Sequence, residues 1–380
     1  MPPISNMIAS PIVRRWMVPA LAAVAVLAGG AAVRGISTLA GPALAPKSAE
    51  QVLASLQTAR PDGFSGTVAM RADLGLPALP GFGGEGSDGN INDLNTLLSG
   101  SHTLKVWYSS PDSARLALIG QMSESSIITN GKDVWTWSSK DNAVTHSVRP
   151  EGKTGDRERK GEGTLPVTPE QAAARVLGAL GPSTTVTTDA TGKVAGRPVY
   201  ELVLAPKDTD SLVGQVRIAV DSAQNVPLRV QIIPRGASAP ALEVGFTSVD
   251  FTRPAASWFT FTPPPGAKVT EKAPGSAGMH LTGPLVAAPM LLARNDGVTI
   301  GSGWSAVMVS RVPVSANHRG RDDLGRLLRR LPRVDNGRVL GGSLFNAMLT
   351  DDGRLLVGAV SSAKLQAVSK EPAAQLKPAS

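Results

Sequence analysis

Four segments between residues 199 and 249 alternate apolar and polar residues along their length. Because side chains of a strand point to opposite faces in turn, this alternation is typical of antiparallel strands with one buried face. The charged positions of the four segments, Glu201 and Arg229 among them, fall together on the other face. The apolar face holds Leu202, Ile218, Val230, Val244 and Phe246. The pattern predicts an amphipathic antiparallel sheet.

A second series of strands is predicted between residues 103 and 148, where β-prone runs are joined by short links. One link contains Asn130-Gly131, a pair favoured in hairpins because a type I′ turn needs positive φ at both central residues. Links this short place consecutive strands side by side in a meander. Trp135 and Trp137 then point to the same face, which is either core or an exposed convex patch suited to a protein or membrane contact.

Two capping boxes predict helices beside these strands. Ser48 with Gln51 opens a helix that ends before Pro61, and Thr168 with Gln171 opens one that ends at Gly181. Both helices have apolar positions with which to cover a sheet. The fold class expected is therefore α+β.

Charge and composition exclude several kinds of site. The net charge of +8 permits contact with anionic lipid or nucleic acid, but the basic residues are scattered and no nucleic-acid motif occurs, so nucleic acid is not an expected partner. The chain has no cysteine, and its four histidines are far apart in sequence without metal-ligand spacing. No nucleophile elbow, phosphate loop or dinucleotide fingerprint is present. We expect no catalytic residue, no cofactor and no metal.

The segment from Trp16 to Val33 carries no charge and is flanked by Arg14 and Arg15 before it and Arg34 after it. Its length is close to the minimum for crossing a hydrocarbon core of ~30 Å. The charge bias favours a cytoplasmic N-terminus and an uncleaved signal anchor. The alternative is a signal peptide cleaved after Ala43-Leu44-Ala45, which gives a secreted protein. In both cases the bulk of the chain is expected outside the cytoplasm.

The order of elements resembles the LolA/LolB/RseB superfamily of lipoprotein-localisation factors. The resemblance spans residues 48 to 267 and rests on a capped helix, a meander with "NGKDVWTW", a second capped helix, and then "YELVLAPKD", "VRIAVDSAQNVPLRVQII", "LEVGFTSVDF" and "FTFTPPPGA". It implies a curved antiparallel half-barrel whose apolar concave face is covered by helices and holds acyl chains. The excess of Arg over Lys and the abundance of Ala suggest an actinobacterial-type, membrane-anchored member.

Two sets of candidate site residues follow from this resemblance. The loop from Leu74 to Phe82 is either a hydrophobic lid over the cavity, formed by Leu74, Leu76, Leu79 and Phe82, or an ordinary surface loop. The candidates for lining the lipid cavity are Trp107, Leu116, Leu118, Trp135, Trp137, Leu202, Ile218, Val230, Val244 and Phe246.

A smaller α+β unit follows a linker rich in Gly, Pro and Ala. It is predicted to contain a hairpin turning at Asp351-Asp352-Gly353 and a basic helix in which Arg326, Arg329 and Arg330 face a partner, a membrane surface or solvent. The expected division is a cytoplasmic stub with the anchor at 1–46, the half-barrel at 47–268, the linker at 269–300, the small domain at 301–368 and a tail at 369–380.

Three functions remain open at this point. The first is a membrane-anchored, extracytoplasmic, non-catalytic protein that binds lipid or an acylated protein. The second, implied by the two-domain order of the RseB (MucB) type, is a regulator that senses such a ligand and controls a membrane anti-sigma factor. The third is an enzyme or cell-wall factor that uses the cleft. In the first two, deletion of the small domain is expected to leave lipid binding intact.

Overall fold

The computed structural model describes residues 44–76, 99–120, 122–148, 181–189, 192–272, 297–311 and 331–371. These residues form a larger sheet of 13 strands and a smaller sheet of six. The expected α+β class, with a large antiparallel sheet followed by a smaller unit, is confirmed.

The larger sheet is an open, mostly antiparallel sheet. Its spatial order is β13-β6-β5-β4-β3-β2-β1-β12-β11-β10-β9-β7, and β8 pairs with β9. The pairing of β1 with β12 joins the two predicted strand series into one sheet, and β13 alone among these strands runs parallel to its neighbour, β6. The strands are β1 (Gly63–Asp73), β2 (Ser99–Ser109), β3 (Ser113–Ile119), β4 (Glu124–Asn130), β5 (Asp133–Ser138), β6 (Ala143–Val148), β7 (Thr184–Asp189), β8 (Lys193–Val194), β9 (Arg197–Pro206), β10 (Val213–Asp221), β11 (Pro227–Pro234), β12 (Leu242–Asp250) and β13 (Lys268–Lys272).

The larger sheet curls on itself. Strand β8 contacts β12, although β9, β10 and β11 lie between them in the sheet. The guanidinium of Arg197, on β9, lies 4.8 Å from the ring centroid of Phe251, just after β12, whereas three strand spacings in a flat sheet would be about 14 Å. The sheet therefore forms a half-barrel with open edges at β13 and β7.

The β4–β5 hairpin is present but its turn differs from the expected one. Asn130 pairs with Asp133, so the central residues are Gly131 and Lys132 instead of Asn130 and Gly131. Gly131 has φ of 61° and Lys132 has no positive φ, which is the pattern of a type II′ turn with glycine first. The predicted facing of Trp135 and Trp137 is unaffected, because the strand register is set by pairing with β4.

Helix α1 (Ala49–Thr58) begins at the predicted capping box. The Ser48 hydroxyl accepts from the Gln51 backbone N–H, and the Gln51 side chain accepts from the Ser48 backbone N–H. The predicted helix after Thr168 lies outside the described residues, as does the segment from Trp16 to Val33. Within the described ranges, no helix combines the length and hydropathy of a membrane span.

The C-terminal unit is built on the smaller sheet, in the order β14-β15-β19-β18-β17-β16. Its core includes Val307, Met348, Leu356 and Leu365, and the predicted hairpin at Asp351-Asp352-Gly353 joins β18 to β19. Its elements are β14 (Val298–Ile300), β15 (Val307–Arg311), β16 (Arg333–Val334), β17 (Gly337–Gly341), β18 (Asn346–Thr350), β19 (Arg354–Gly358) and α2 (Ser362–Ser369). The larger sheet thus continues past residue 268 to Lys272, and the smaller one begins before residue 301.

Candidate functional site

The ten predicted cavity residues lie on two opposite faces of the larger sheet. Seven belong to one face, which we call the apolar face: Leu116, Leu118, Leu202, Ile218, Val230, Val244 and Phe246. Trp107 pairs with Arg115, Trp135 with Ile128, and Trp137 with Ser126, which puts these three tryptophans on the other face. The seven residues and the three tryptophans therefore cannot line the same cavity, because the two faces of a sheet point to opposite sides.

The apolar face can be described in rows of cross-strand neighbours. A central row runs from β7 to β12 through Thr188, Leu202, Ile218, Val230 and Val244. The row beside it on one side contains Leu204, Val216, Ile232 and Leu242, and the row on the other side contains Tyr200, Val220 and Phe246. No charged side chain interrupts the three rows.

Helix α1 covers the row that contains Tyr200. Val52 is fully buried against Tyr200 and Val220, and Leu56 and Ile218 pack around them. The chain before α1 is fixed to the same place, since the Tyr200 hydroxyl donates to the Ala45 carbonyl over 2.8 Å. One side of the central row is therefore bounded by a helix.

The C-terminal unit covers the row on the other side. Leu344 is buried, and together with Phe345 it packs against Val216, Ile232 and Leu242. Ile218 and Val230 remain half-buried between the two covers. The central row is thus partly accessible at Ile218 and Val230, which form a short apolar strip, whereas Leu202 and Val244 on either side of them are buried.

Lys47 lies at the β7 end of the central row. Its carbonyl accepts from the Thr188 hydroxyl over 2.8 Å, and its ammonium lies 4.8 Å from the ring centroid of Tyr200. Because β7 is an edge strand, this cation stands at the rim of the sheet, separated from Ile218 by the buried Leu202. Lys47 was not among the predicted site residues, and β7 was not among the predicted strands.

The lid candidates fall into two groups. Leu74 is buried with Leu344 at the junction with the C-terminal unit, and Leu76 packs there too. The Leu74 carbonyl accepts from the backbone N–H of Ser343 over 2.7 Å. Leu79 and Phe82 lie outside the described residues, and so do the surface candidates Arg326, Arg329 and Arg330.

The tryptophan face is covered by a strap, residues 251 to 267, that follows β12. Trp258 stacks on Trp107 with ring centroids 4.7 Å apart, and Phe261 lies 5.5 Å from Trp135 between ring centroids. Phe259 is buried where the strap crosses β3 and β4, over strands that carry the small residues Ala117 and Ser126 on this face. Of the two readings left open for Trp135 and Trp137, the structure thus shows a mostly covered aromatic layer, from which Trp258 protrudes with 43% of its surface exposed.

His146 joins the tryptophan face to the edge strand β13. Its Nε2 lies 2.8 Å from an Asp133 carboxylate oxygen and its Nδ1 lies 2.8 Å from a Glu271 carboxylate oxygen. Burial lowers the pKa of His146, but the hydrogen bonds and charges of Asp133 and Glu271 outweigh it, so that the pKa is raised above 6.5. This cluster fastens β13 to β6.

Three charged residues of the curled half of the sheet, Glu201, Arg217 and Arg229, pair with one another. Glu201 accepts from Arg229 over 2.9 Å and from Arg217 over 3.3 Å on the face opposite the apolar rows. In the part of the chain that the structure describes, no group of His, Asp and Glu side chains is arranged to hold a metal ion. The features that distinguish the apolar face are therefore its shape and its lack of charge.

No family model matches this chain, and no curated protein matches its sequence. The chain is similar to solved structures of MucB and of LolA-superfamily proteins. The MucA/MucB complex of Pseudomonas aeruginosa gives a TM-score of 0.41 at 12% identity, covering 84% of this chain and 96% of that one. A LolA-superfamily protein from Nitrosomonas europaea gives 0.23 at 12% identity, covering 57% and 99%. A putative outer-membrane lipoprotein-sorting domain from Vibrio parahaemolyticus gives 0.20 at 13%, covering 52% and 89%.

All three similarities have identities of 13% or less and TM-scores below 0.5. The superpositions are too loose to transfer a site or a partner, so the arguments that follow rest on this chain's own residues. The actinobacterial origin stays a prediction.

Proposed function

We propose that this protein is a membrane-anchored, extracytoplasmic binding protein that holds a lipid or an acylated protein on its apolar face, without catalysis. The observation that carries the proposal is the strip around Ile218 and Val230, which is apolar, uncharged and half-buried between α1 and the C-terminal unit. An apolar strip of this kind on a single sheet face suits a hydrocarbon chain.

The apolar contribution alone supports only weak binding. Each buried methylene contributes ~0.8 kcal/mol, so a chain with about a dozen buried methylenes gains ~10 kcal/mol before the costs of association, which are at least ~4 kcal/mol. The remaining ~6 kcal/mol lies between the ~4 kcal/mol of millimolar and the ~8 kcal/mol of micromolar affinity. Tight binding therefore needs more buried methylenes or an additional polar contact.

The test is organic extraction and native mass spectrometry of the full chain, purified from bacterial membranes in a bile-salt detergent that has no acyl chain. Val230→Trp fills the strip, and Gln231→Trp adds the same bulk to the opposite face of the same strand. We expect acyl lipid with the wild type and with Gln231→Trp, and several-fold less with Val230→Trp. Equal lipid in all three preparations would show that the lipid surrounds the anchor and would refute the proposal.

A second function is favoured by the packing of Leu344 and Phe345 on the same apolar face. A ligand there would touch the C-terminal unit, so occupancy could be reported to a protein bound by that unit. The family resemblance implies a membrane anti-sigma factor as this partner. The test is to measure how much of such a factor the full chain captures with and without lipid. A change on lipid loading in the wild type but not in Val230→Trp would support a regulator. Equal capture with and without lipid in the wild type would contradict it.

A further inference from the structure

We propose that β13 binds an extended, acidic peptide segment of a partner protein, which adds antiparallel to β13 as a further strand of the larger sheet. The inference does not depend on the proposed lipid ligand, because it concerns the edge of the sheet and not its apolar face. Three observations carry it: the open edge of β13, the positive charge along that edge, and the firm attachment of β13 to β6.

Strand β13 presents backbone groups to solvent. The Lys268 backbone N–H donates to the Asn142 carbonyl over 2.9 Å, so Lys268 and every second residue after it bond to β6. The N–H and C=O groups of Val269 and Glu271 therefore point away from β6. Among the described strands none lies on that side of β13, and all five residues of β13 are exposed. The edge thus offers both backbone groups of Val269 and Glu271 to an incoming strand.

The edge carries a positive charge. Lys268 and Lys272 lie on one side of β13 and make no ion pair with the residues that the structure describes. Glu271, on the other side of the strand, is held by His146. In an antiparallel pair, side chains approach most closely at the positions that are not hydrogen-bonded, which are the positions of both lysines. Opposite charges facing them stabilise an added strand and like charges destabilise it, so the edge favours a segment with carboxylates at the spacing of the two lysines.

A second copy of this chain does not suit the same edge. Symmetric antiparallel pairing of β13 along its whole length with β13 of another copy puts Lys268 of each copy opposite Lys272 of the other. Lysines on an exposed edge strand commonly prevent such self-association. A partner segment of the opposite charge avoids this repulsion.

The strand is in place before a partner binds. It pairs with β6 along all five of its residues, and the Asn142 side-chain amide donates to the Gly266 carbonyl over 2.9 Å just before the strand begins. At the other end, the carboxylate of Glu271 lies 2.8 Å from His146 Nδ1. Because the strand is already ordered, only the incoming segment pays the entropic cost of strand addition.

The experiment measures, by fluorescence anisotropy, the binding of a labelled seven-residue peptide with blocked ends to the full chain in detergent. The second and sixth residues of the peptide are Glu, to face Lys272 and Lys268. Its third residue is Arg, to face Glu271, its fifth is Val, to face Val269, and the others are Thr. N-methylation of the third residue removes an N–H that faces β13 and should weaken binding about fivefold. N-methylation of the fourth residue, whose N–H faces away from β13, is the matched control and should have little effect.

The charge requirement is tested by reversal. Lys272→Glu should weaken binding about fivefold, because it places two carboxylates opposite each other. A peptide with Lys at its second position should bind Lys272→Glu as the original peptide binds the wild type, a gain that misfolding cannot produce. Lys105→Glu, on β2, makes the same change of net charge away from the edge and should leave the binding of both peptides unchanged.

Amide exchange of the complex shows where the peptide lies. Peptide in millimolar excess should slow exchange at Val269 and Glu271 several-fold and leave Thr270, whose N–H already bonds to β6, unchanged. Equal effects of the two N-methylations, or a Lys272→Glu defect that the charge-reversed peptide does not restore, would mean that the charges attract without strand addition and would overturn the inference. Unchanged exchange at Val269 and Glu271 would overturn it too, and the lysines would then serve only to prevent self-association. None of these results alters the outcome of lipid extraction, which tests the proposed function separately.

Discussion

The indole of Trp135 lies nearly parallel to the imidazole of His146, with ring centroids 3.9 Å apart and planes inclined by 19°. Both imidazole nitrogens are within hydrogen-bonding distance of a carboxylate, one of Asp133 and one of Glu271. A neutral imidazole has one N–H, so it can donate to only one carboxylate, whereas imidazolium donates to both. The arrangement therefore favours a charged His146, stacked on Trp135 and tied to Glu271 on β13.

The attachment of β13 should depend on pH. Since the pKa of His146 in the folded protein is raised above its ordinary value of 6.5, its stabilising contribution is complete below pH 6.5 and is lost as pH rises through the folded-state pKa. We expect amide exchange in residues 268–272 to be several-fold slower in the wild type than in His146→Gln at pH 5.5. At pH 8.5 the two proteins should exchange alike.

The effect on global stability should be small. The side chains of Asp133 and Glu271 are 48% and 68% exposed, so solvent screens both pairs. Comparing the variant with the wild type at each pH removes the intrinsic pH dependence of exchange. If the difference in amide exchange between the wild type and His146→Gln is the same at pH 8.5 as at pH 5.5, His146 acts by packing on Trp135 and not by its charge.

The strap over the tryptophan face should be held mainly by Phe259. This side chain is 3% exposed, whereas its neighbour Trp258 is 43% exposed. Phe259→Ala should lower the free energy of unfolding by ~3–5 kcal/mol because it leaves a cavity over β3 and β4. Trp258→Ala should cost ~1 kcal/mol, about the value of its stack on Trp107. Urea unfolding of the two variants checks this order, and equal losses would contradict it.

Alternation along strands predicted more of this fold than any other sequence signal. Residues such as Ile218 and Val230 share a face because their spacing of two holds through β10 and β11, and the capping box at Ser48 defined the start of α1. Strand β7, rich in threonine, and strand β13, with all five residues exposed, have no alternating apolar positions and were not predicted.

The division of the site between two faces could not be predicted from the strands one by one. Trp135 and Leu118 are each apolar at alternate positions of their own strands, and only the register between β3, β4 and β5 shows that they point in opposite directions. The covers of the central row could not be predicted either, because no local sequence feature brings Phe345 against Ile232. The position of Lys47 at the rim of the sheet could not be predicted either, because it depends on where β7 lies.

The pair of the buried Asp221 and the half-buried Arg197 should be the most sensitive charged site of the larger sheet. Asp221 is fully buried; it binds the Arg197 guanidinium through both carboxylate oxygens and accepts from the backbone N–H groups of Ala223 and Gln224. The same pairing raises the pKa of Arg197. Asp221→Asn keeps the shape but leaves the guanidinium without its counter-charge, which should cost ~1–3 kcal/mol because solvent reaches part of Arg197.

The control for this variant is Asp250→Asn. Asp250 also accepts from a backbone N–H, that of Thr252 over 2.8 Å, but it is exposed. Its replacement should cost less than ~1 kcal/mol. Thermal unfolding of both variants distinguishes the cases, and a similar small loss in each would show that water replaces the carboxylate at Arg197 without penalty.

The C-terminal unit should not be separable from the larger sheet without loss. Leu344 is buried against Leu74, Val213 and Ala241, and two backbone hydrogen bonds of 2.7 Å, Ser343 to Leu74 and Leu212 to Ala359, cross the junction. This packing argues against the expectation that the small domain can be deleted with lipid binding intact, since deletion would expose the Leu74 cluster and remove one cover of the central row.

Leu344→Ala should therefore destabilise both units together. The loss should be ~2–5 kcal/mol, as for other buried leucines, and hydrogen exchange should accelerate in β10 and β12 as well as in β18 and β19. The matched control is Lys364→Ala, which removes a 3.1 Å ion pair with Asp210 at the same junction between side chains that are 42% and 53% exposed; it should cost less than ~1 kcal/mol. Faster exchange confined to β18 and β19 would mean that the units unfold independently, and the larger sheet would then hold its ligand without the C-terminal cover.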